Sequence, residues 1–401
     1  MNTSAEEILQ YVREEDVKFI RLAFCDVFGR MKNLSVQPGE LERALTRGIA
    51  FNPSLIRGIG GEAAEDLFLR PDPATISVLP WRPEHGRVVR MFCTLGRADG
   101  SISDMDTRSL LRKAVSDAGA AGVSFSFGSR MEFYLFETDE RGEPTDRPLD
   151  RAGYMDIAPE DKGENVRREI CLTLEQMGIL PESSHHEEGP GQNEIDFRHA
   201  DPVTAADHAL TFRGVVSTIA ARNGLYASFA PKPLPGQPGN GFHVQVSVRK
   251  TDGEEVLPFA AAGILEQILP ITAFLNPEEA SYGRLGDHRA PKYVTWSPKN
   301  RSQLLRIPSE GKYAELRSPD STANPYLVFT LLLRAGLAGV QKRLSLPEAT
   351  ETDLRNAPAD LLAGLRRLPD SAEEARKLAQ TSAFVQTCLP ETVIRAYCER
   401  T

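Results

Sequence analysis

Apolar and polar residues alternate through much of the first hundred positions. In VKFIRLAFCD and MKNLSV, on either side of the Gly-containing VFGR, the alternation predicts two strands joined as a β-hairpin. Two further β-like runs, TISVLPW (75–81) and VVRMFCTL (88–95), follow a glycine-rich stretch at 51–66. Residues 97–107 (RADGSISDMDT) are polar and turn-rich. The chain divides there into units of 1–104 and 105–401.

Beyond that point helices and strands are interspersed. Residues 107–121 carry Leu and Ala at helical spacing, with Asp106 or Thr107 as the N-cap. Residues 166–179 and 202–224 also predict helices, the second stopped by a C-cap glycine, Gly224. Residues 124–137 and 241–250 predict strands, the latter by strict alternation. The long apolar segments 258–275 and 324–344 predict helices buried on most sides, and short amphipathic helices follow from about 358. The fold class is α+β.

Composition mainly excludes. The 401 residues are 41% hydrophobic and 26% charged, ordinary for a soluble globular protein. No apolar run approaches the ~18–20 residues of a membrane span, and the acidic N-terminus lacks a signal-peptide layout. A formal charge of −9 argues against a general nucleic-acid binder. The five cysteines are scattered without a CxxC, so neither a disulfide framework nor a structural zinc site is expected. A cytoplasmic protein with no nucleic-acid or membrane partner fits these numbers.

The chemistry lies in charged residues inside strand segments. Residues i and i+2 of a strand share a face. That groups Arg130 with Glu132, His243 with Gln245 and Ser247, and Tyr313 with Glu315 and Arg317, each opposite an apolar face. Three such strands suggest a sheet curved around a polar cleft. The segment ESSHHEEGPGQNEIDF (182–197) adds Glu187 and Glu194. Carboxylates with one imidazole and no thiolate form a hard donor set suited to Mg²⁺ or Mn²⁺. Arg284, Arg289, Arg301, Arg306 and Arg317 lie among Pro and Gly between 281 and 320. Their planar forks suit carboxylates and phosphates, although a solvated basic face would look the same.

These segments resemble the glutamine synthetase family over almost the whole chain. HHEEGPGQNEIDF resembles its HHE…GQ.E segment, and FAPKP with GNGFHVQVS resembles its FMPKP and GSGMHVH.S. The stretches from NPEEASYGRL to RSQLLRIP and ELRSPDSTANPYL resemble its arginine region; RLAFCDVFGRMKN and LFLRPDPATISVLPW match its small N-terminal domain. The resemblance implies a β-grasp domain followed by a catalytic domain with a curved antiparallel sheet flanked by helices. It implies ATP-dependent activation of glutamate as an acyl phosphate, which an amine then displaces. It also implies a homo-oligomer, a hexameric ring or a dodecamer, with active sites between neighbouring subunits.

By motif match, Glu132, Glu187 and Glu194 would hold the first metal, and His243 and Glu315 two-thirds of a second. Arg284 and Arg317 would bind substrate carboxylates, with Gly239 near the amino group. Arg301 and Arg306 would face ATP phosphates, with Ser247 beside the nucleotide. Asp66 and Tyr154 keep the family types around the amine pocket.

The sequence also departs from that pattern. Arg130 stands where the family has a Glu ligand of the second metal. Arg289 replaces a catalytic Glu before the Ala-Pro of a mobile loop, and Asn52 replaces an Asp of the ammonium site. Gln245 and Tyr313 replace a His and an Arg of the nucleotide region, and Pro238 an Asn of the glutamate loop. At ~4 Å from bound ammonium, Arg289 would repel it by about 4 kcal/mol at an effective dielectric near 20. Three readings stay open: a ligase using glutamate or a related carboxylate with an amine other than ammonia, a catalytically silent binding paralogue, and a repurposed ATP-independent metal site.

Overall fold

A computed structural model describes residues 5–59, 64–82 and 85–399. The predicted hairpin is present: strands Val17–Cys25 and Met31–Val36 pair antiparallel from Ile20↔Val36 to Cys25↔Met31. Its turn is held by the Asp26 carboxylate, which accepts from the backbone N–H of Phe28 (3.0 Å) and Arg30 (2.8 Å). Arg87–Gly96 lies parallel to Val17–Cys25 and antiparallel to Leu67–Pro71, which in turn pairs with Ile49–Phe51. The run at 75–81 yields only the short strand Ser77–Val78. A turn at Pro73–Thr75, capped by the Asp72 carboxylate, occupies its start.

Two helices of this unit, Ala5–Glu14 and Leu41–Thr46, stand beside the strands and were not among the elements predicted for the first hundred residues. Ile8 and Val12, one helical turn apart, join Leu41 and Ala44 in the core beneath the sheet.

The larger unit is built on a nine-stranded sheet whose centre is the 16-residue strand Val123–Thr138. On one side it pairs with Phe242–Lys250, then Ala314–Leu316, Leu305–Arg306 and Trp296–Ser297. On the other it pairs with Gln192–Ala200, then Pro181–His186; Leu225–Ser228 and Pro144–Pro148 pair with its far end. All neighbours run antiparallel except Trp296–Ser297 beside Leu305–Arg306. Phe127, Met131, Phe133, Phe242, Val244 and Val246 cover one face and are fully buried.

Helices Thr107–Ala120, Pro202–Arg222, Leu257–Leu275 and Pro325–Lys342 contribute to this same core. Phe127 stacks on Phe329 at 4.3 Å. Leu257–Leu275 and Pro325–Lys342 touch backbone to backbone: a Cβ on Gly263 would lie 2.2 Å from the Ala335 carbonyl. Leu257–Leu275 is long and apolar enough to cross a bilayer by length and composition, contrary to the expectation that no run approaches that size. Its most apolar window is 67% buried inside the protein, as a core helix requires.

Asp106 occupies the expected N-cap position, but its carboxylate accepts from Leu95 N–H (3.2 Å) and Ser109 hydroxyl (2.7 Å) instead of capping the helix. Gly224, at φ +69°, follows the end of Pro202–Arg222 as expected. A buried clasp ties the two units together: Arg108 forks onto Asp207 (2.9 and 2.8 Å) and also reaches Asp72 (3.0 Å).

Candidate active site

The sheet register explains the site. Glu194 lies directly opposite Glu132, while Asp196 and His243 flank Arg130 from the two neighbouring strands. Glu315 lies opposite Gln245 on one side and Arg306 on the other. Cross-strand partners project to the same face, so these side chains form one continuous polar surface.

A cavity over that face is lined by Arg130, Glu132, Tyr154, Glu187, Glu194, Gly239, His243, Arg284, Arg289, Arg301 and Arg317, all singled out from sequence. Pro238, marked as a departure, lines it as well. Glu188, Gln192, Asp287, His288 and Ala290 complete the lining and were not anticipated.

Glu132 is held in place from two sides. Its Oε2 accepts from Gly241 N–H (2.7 Å) and the Gln192 amide (3.2 Å), which also reaches the Gly239 carbonyl. Its Oε1 lies 3.8 Å from His243 Nε2, and His243 Nδ1 lies 3.8 Å from Glu194. Burial, with Glu187 nearby, pushes the Glu132 carboxyl up to about 7. Burial, with Glu132, Asp196 and Glu187 around it, raises Glu194 well above the carboxylate range. Burial and the surrounding Arg317, Arg284, Arg130 and Arg301 hold His243 well below its usual range, so its imidazole is neutral.

On the substrate side, Arg284 is buried and donates to the carbonyls of Ser318 (2.8 Å) and Arg317 (3.3 Å). A Cβ on Gly239 would meet the Pro231 carbonyl oxygen at 2.2 Å and Arg284 Cγ at 2.9 Å, so only glycine fits there. Arg317 donates to Glu315 at 2.7 Å. At the rim, Arg289 pairs with Glu188 (3.4 Å) and lies 5.9 Å over the Tyr154 ring. Its side chain is 57% exposed. The adjoining loop is pinned by Lys232 paired with Asp287, and His288 adopts a left-handed φ of +47°.

Two family models match: "Glutamine synthetase, beta-Grasp domain" over residues 16–97 and "Glutamine synthetase, catalytic domain" over 104–400. The chain belongs to the glutamine synthetase family. It is 40% identical to the glutamine synthetase of Clostridium saccharobutylicum over 411 residues, covering 98% of this chain and 93% of that one. It is likewise 40% identical to the Methanosarcina mazei enzyme over 414 residues, covering 98% and 92%. A solved structure described as a GmaS/ADP complex superposes with a TM-score of 0.89 at 25% identity, covering 98% of this chain and 94% of that one. The Plasmodium falciparum glutamine synthetase shares the fold, with a TM-score of 0.86 at 19% identity and coverage of 99% and 94%. The family consists of ATP-dependent ligases that use divalent metals.

The donor set fits one divalent cation. Glu132, Glu194 and His243 offer ligand atoms within 4.8 Å of one another, and His185, Glu187 and Glu194 form an overlapping group. Two buried carboxylates facing each other with a neutral imidazole is the arrangement a cation relieves. The expected triad of Glu132, Glu187 and Glu194 is thus split between two groups that share Glu194, with His243 and His185 as the added donors.

The structure does not gather His243 and Glu315 into a common donor group. Among the described residues Glu315 belongs to no such group. Burial pushes its carboxyl up, yet Arg317 and Arg130 beside it overcome that and hold it below its ordinary value. A third group, Asp150, Asp161 and His186, is consumed by the scaffold. His186 bridges Asp150 (2.9 Å) and the Glu187 carbonyl (2.7 Å), and Asp161 pairs with Arg167.

Other expected residues lie elsewhere. Gln245, Ser247, Tyr313 and Arg306 do not line the cavity. Gln245 and Ser247 are drawn together by His199, whose ring contacts Gln245 Oε1 (2.9 Å) and Ser247 Oγ (3.3 Å) and packs 5.8 Å from Tyr313. His199 fits because Gly128 beneath it has no side chain: a Cβ there would lie 2.5 Å from the imidazole. Asn52 and Asp66 are exposed and also outside the cavity. The Asn52 side chain caps a local turn through Ser54 N–H (2.8 Å).

Proposed function

We propose that this member of the family is an ATP-dependent ligase that joins glutamate, or a closely related carboxylate, to an amine other than ammonia. The observation that carries this reading is Arg289 in the cavity lining, held at the rim by Glu188 and Tyr154. A fixed cation there works against a small cationic nucleophile and favours a neutral or acid-bearing one.

In this reading Arg284 and Arg317 bind the carboxylates of the acid substrate, and Gly239 leaves room for its amino end. Arg301 faces the phosphates of ATP from the open side, with Arg306, Ser247, Gln245 and Tyr313 behind it toward the nucleotide. Glu132, Glu194 and His243 hold a divalent cation, Mg²⁺ or Mn²⁺, with Glu187 beside them. When bound, that cation supplies charge neutralisation for the transferred phosphoryl group. His243 stays neutral and serves as a ligand. Asn52 and Asp66 act on the cavity of a neighbouring subunit in a hexameric ring or dodecamer.

The test is ADP release by the purified protein with ATP, glutamate and Mg²⁺ or Mn²⁺, comparing ammonium with a panel of amines and amino acids and identifying products by mass. Turnover with an amine and little with ammonium is expected. Turnover best with ammonium would refute the amine assignment. No turnover with any acceptor would leave the silent paralogue and the ATP-independent metal site.

A further inference from the structure

Arg130 sits on the polar face where carboxylates from two other strands, Gln192–Ala200 and Ala314–Leu316, converge. Its Nη2 lies 3.4 Å from Asp196 Oδ2, its Nη1 3.8 Å from Glu194 Oε1 and its Nε 3.8 Å from Glu315 Oε2. His243 stands opposite it in the sheet register. Two features set this guanidinium apart from an ordinary structural ion pair. Two of the three separations exceed hydrogen-bonding length, and its buried Nε has no hydrogen-bond partner. Its side chain also lines the cavity and stays 27% exposed. The carboxylates therefore neutralise Arg130 without saturating its five N–H donors.

Glu194, Asp196 and Glu315 beside Arg130, with His243 opposite it in register, are hard donors, but among the described residues Asp196 and Glu315 belong to no group close enough to hold an ion. An ion among them would have to share the space with the Arg130 guanidinium, and Glu315 is already engaged by Arg317 at 2.7 Å. We propose that Arg130 is a built-in cation that stands in for a second divalent ion: each chain binds one such ion, at Glu132, Glu194 and His243, and the free guanidinium N–H groups of Arg130 take phosphoryl oxygens in the cavity. The phosphoryl half rests on ATP use as read above; the ion count does not.

The test counts Mn²⁺ bound per full-length chain, by electron paramagnetic resonance of the free ion, in wild type, Arg130→Glu and Arg130→Lys. One ion per chain is expected for wild type and Arg130→Lys, and two for Arg130→Glu, where a carboxylate replaces the fixed cation. Two ions on wild type would overturn the proposal, as would one ion on an Arg130→Glu protein that melts as wild type does. If Arg130→Glu does not fold, wild type and Arg130→Lys decide the count. Separately, affinity for the β,γ-imido analogue of ATP should fall ~10-fold in Arg130→Lys, since lysine loses the charge-assisted fork. An unchanged affinity there would overturn the phosphoryl half. Failure of the amine assignment would appear only in the ADP-release assay and leave the ion count intact.

Discussion

Replacing Arg289 by glutamate reverses one charge at the cavity rim, and the structure sets the size of the effect. The guanidinium lies 5.9 Å over the Tyr154 ring, 3.4 Å from Glu188, with its side chain 57% exposed. Solvent at such a position raises the effective dielectric to between ~40 and ~80, so a unit cation ~6 Å away is repelled by about 0.7–1.4 kcal/mol. Reversal changes twice that, about 1.4–2.8 kcal/mol, or ~10–100-fold in kcat/KM for ammonium. This is smaller than the thousandfold expected for a buried contact at 4 Å. Losing the exposed pair with Glu188 costs at most about 1 kcal/mol, so the fold survives. The assay is ammonium-dependent ADP release at subsaturating ammonium for wild type, Arg289→Gln and Arg289→Glu. The neutral variant should fall halfway between the others on a logarithmic scale, and the differences should shrink in high salt. Variants with the same kcat/KM for ammonium would refute the electrostatic argument.

Three further outcomes follow from the geometry. Asp207→Asn should destabilise the protein by about 3 kcal/mol in denaturant unfolding, because it removes the charge that pairs with buried Arg108 and turns one acceptor of that fork into a donor. Gly239→Ala should lower kcat/KM for the acid substrate ~10-fold or more, by pushing against the Pro231 carbonyl and the stem of Arg284, and leave the melting temperature within a few degrees. In metal-free protein Glu132 holds its proton more tightly when folded, near 7, than its ordinary 4.5, so the stability it contributes is present at low pH and lost as pH rises through about 7. Thermal melts should therefore show stability falling from about pH 5 to 8, a slope that Glu132→Gln reduces and added Mn²⁺ offsets.

The sheet was legible because alternation is a local property. Phe242–Lys250 alternates apolar residues at 242, 244, 246 and 248 with polar ones, and Val123–Thr138 does the same over 123–133 with Ser129 as the one polar residue on its apolar face; the structure uses both as read. The same i, i+2 rule places Asp196 beside Glu194, and applying it to Gln192–Ala200 would have found this partner of Arg130. Pairing between strands was not legible. Nothing in the spacing says that His243 meets Glu132 and Glu194, since those contacts are set by register between segments far apart in the chain, whereas the Glu315–Arg317 pair is a local i, i+2 contact. Asp287 and His288 were missed for another reason: they enter the cavity through a turn with a left-handed residue, and no periodicity marks such a turn.

The two arginines that depart from the family pattern show what burial adds to a charge count. In sequence, Arg130 and Arg289 are equivalent, each a cation where the motif resemblance implies a carboxylate. In the structure, Arg289 is mostly exposed and paired with a rim carboxylate, so water screens it and it biases which nucleophile approaches. Arg130 lies among Glu194, Asp196 and Glu315 in the sheet's polar face, where removing its charge takes the nearby cation from Glu194 and Asp196 while Glu315 keeps Arg317. A change at Arg289 should therefore move specificity with little effect on folding or metal. Reversing the charge at Arg130 should move metal stoichiometry, whereas Arg130→Lys should keep it and weaken only the hold on phosphoryl oxygens.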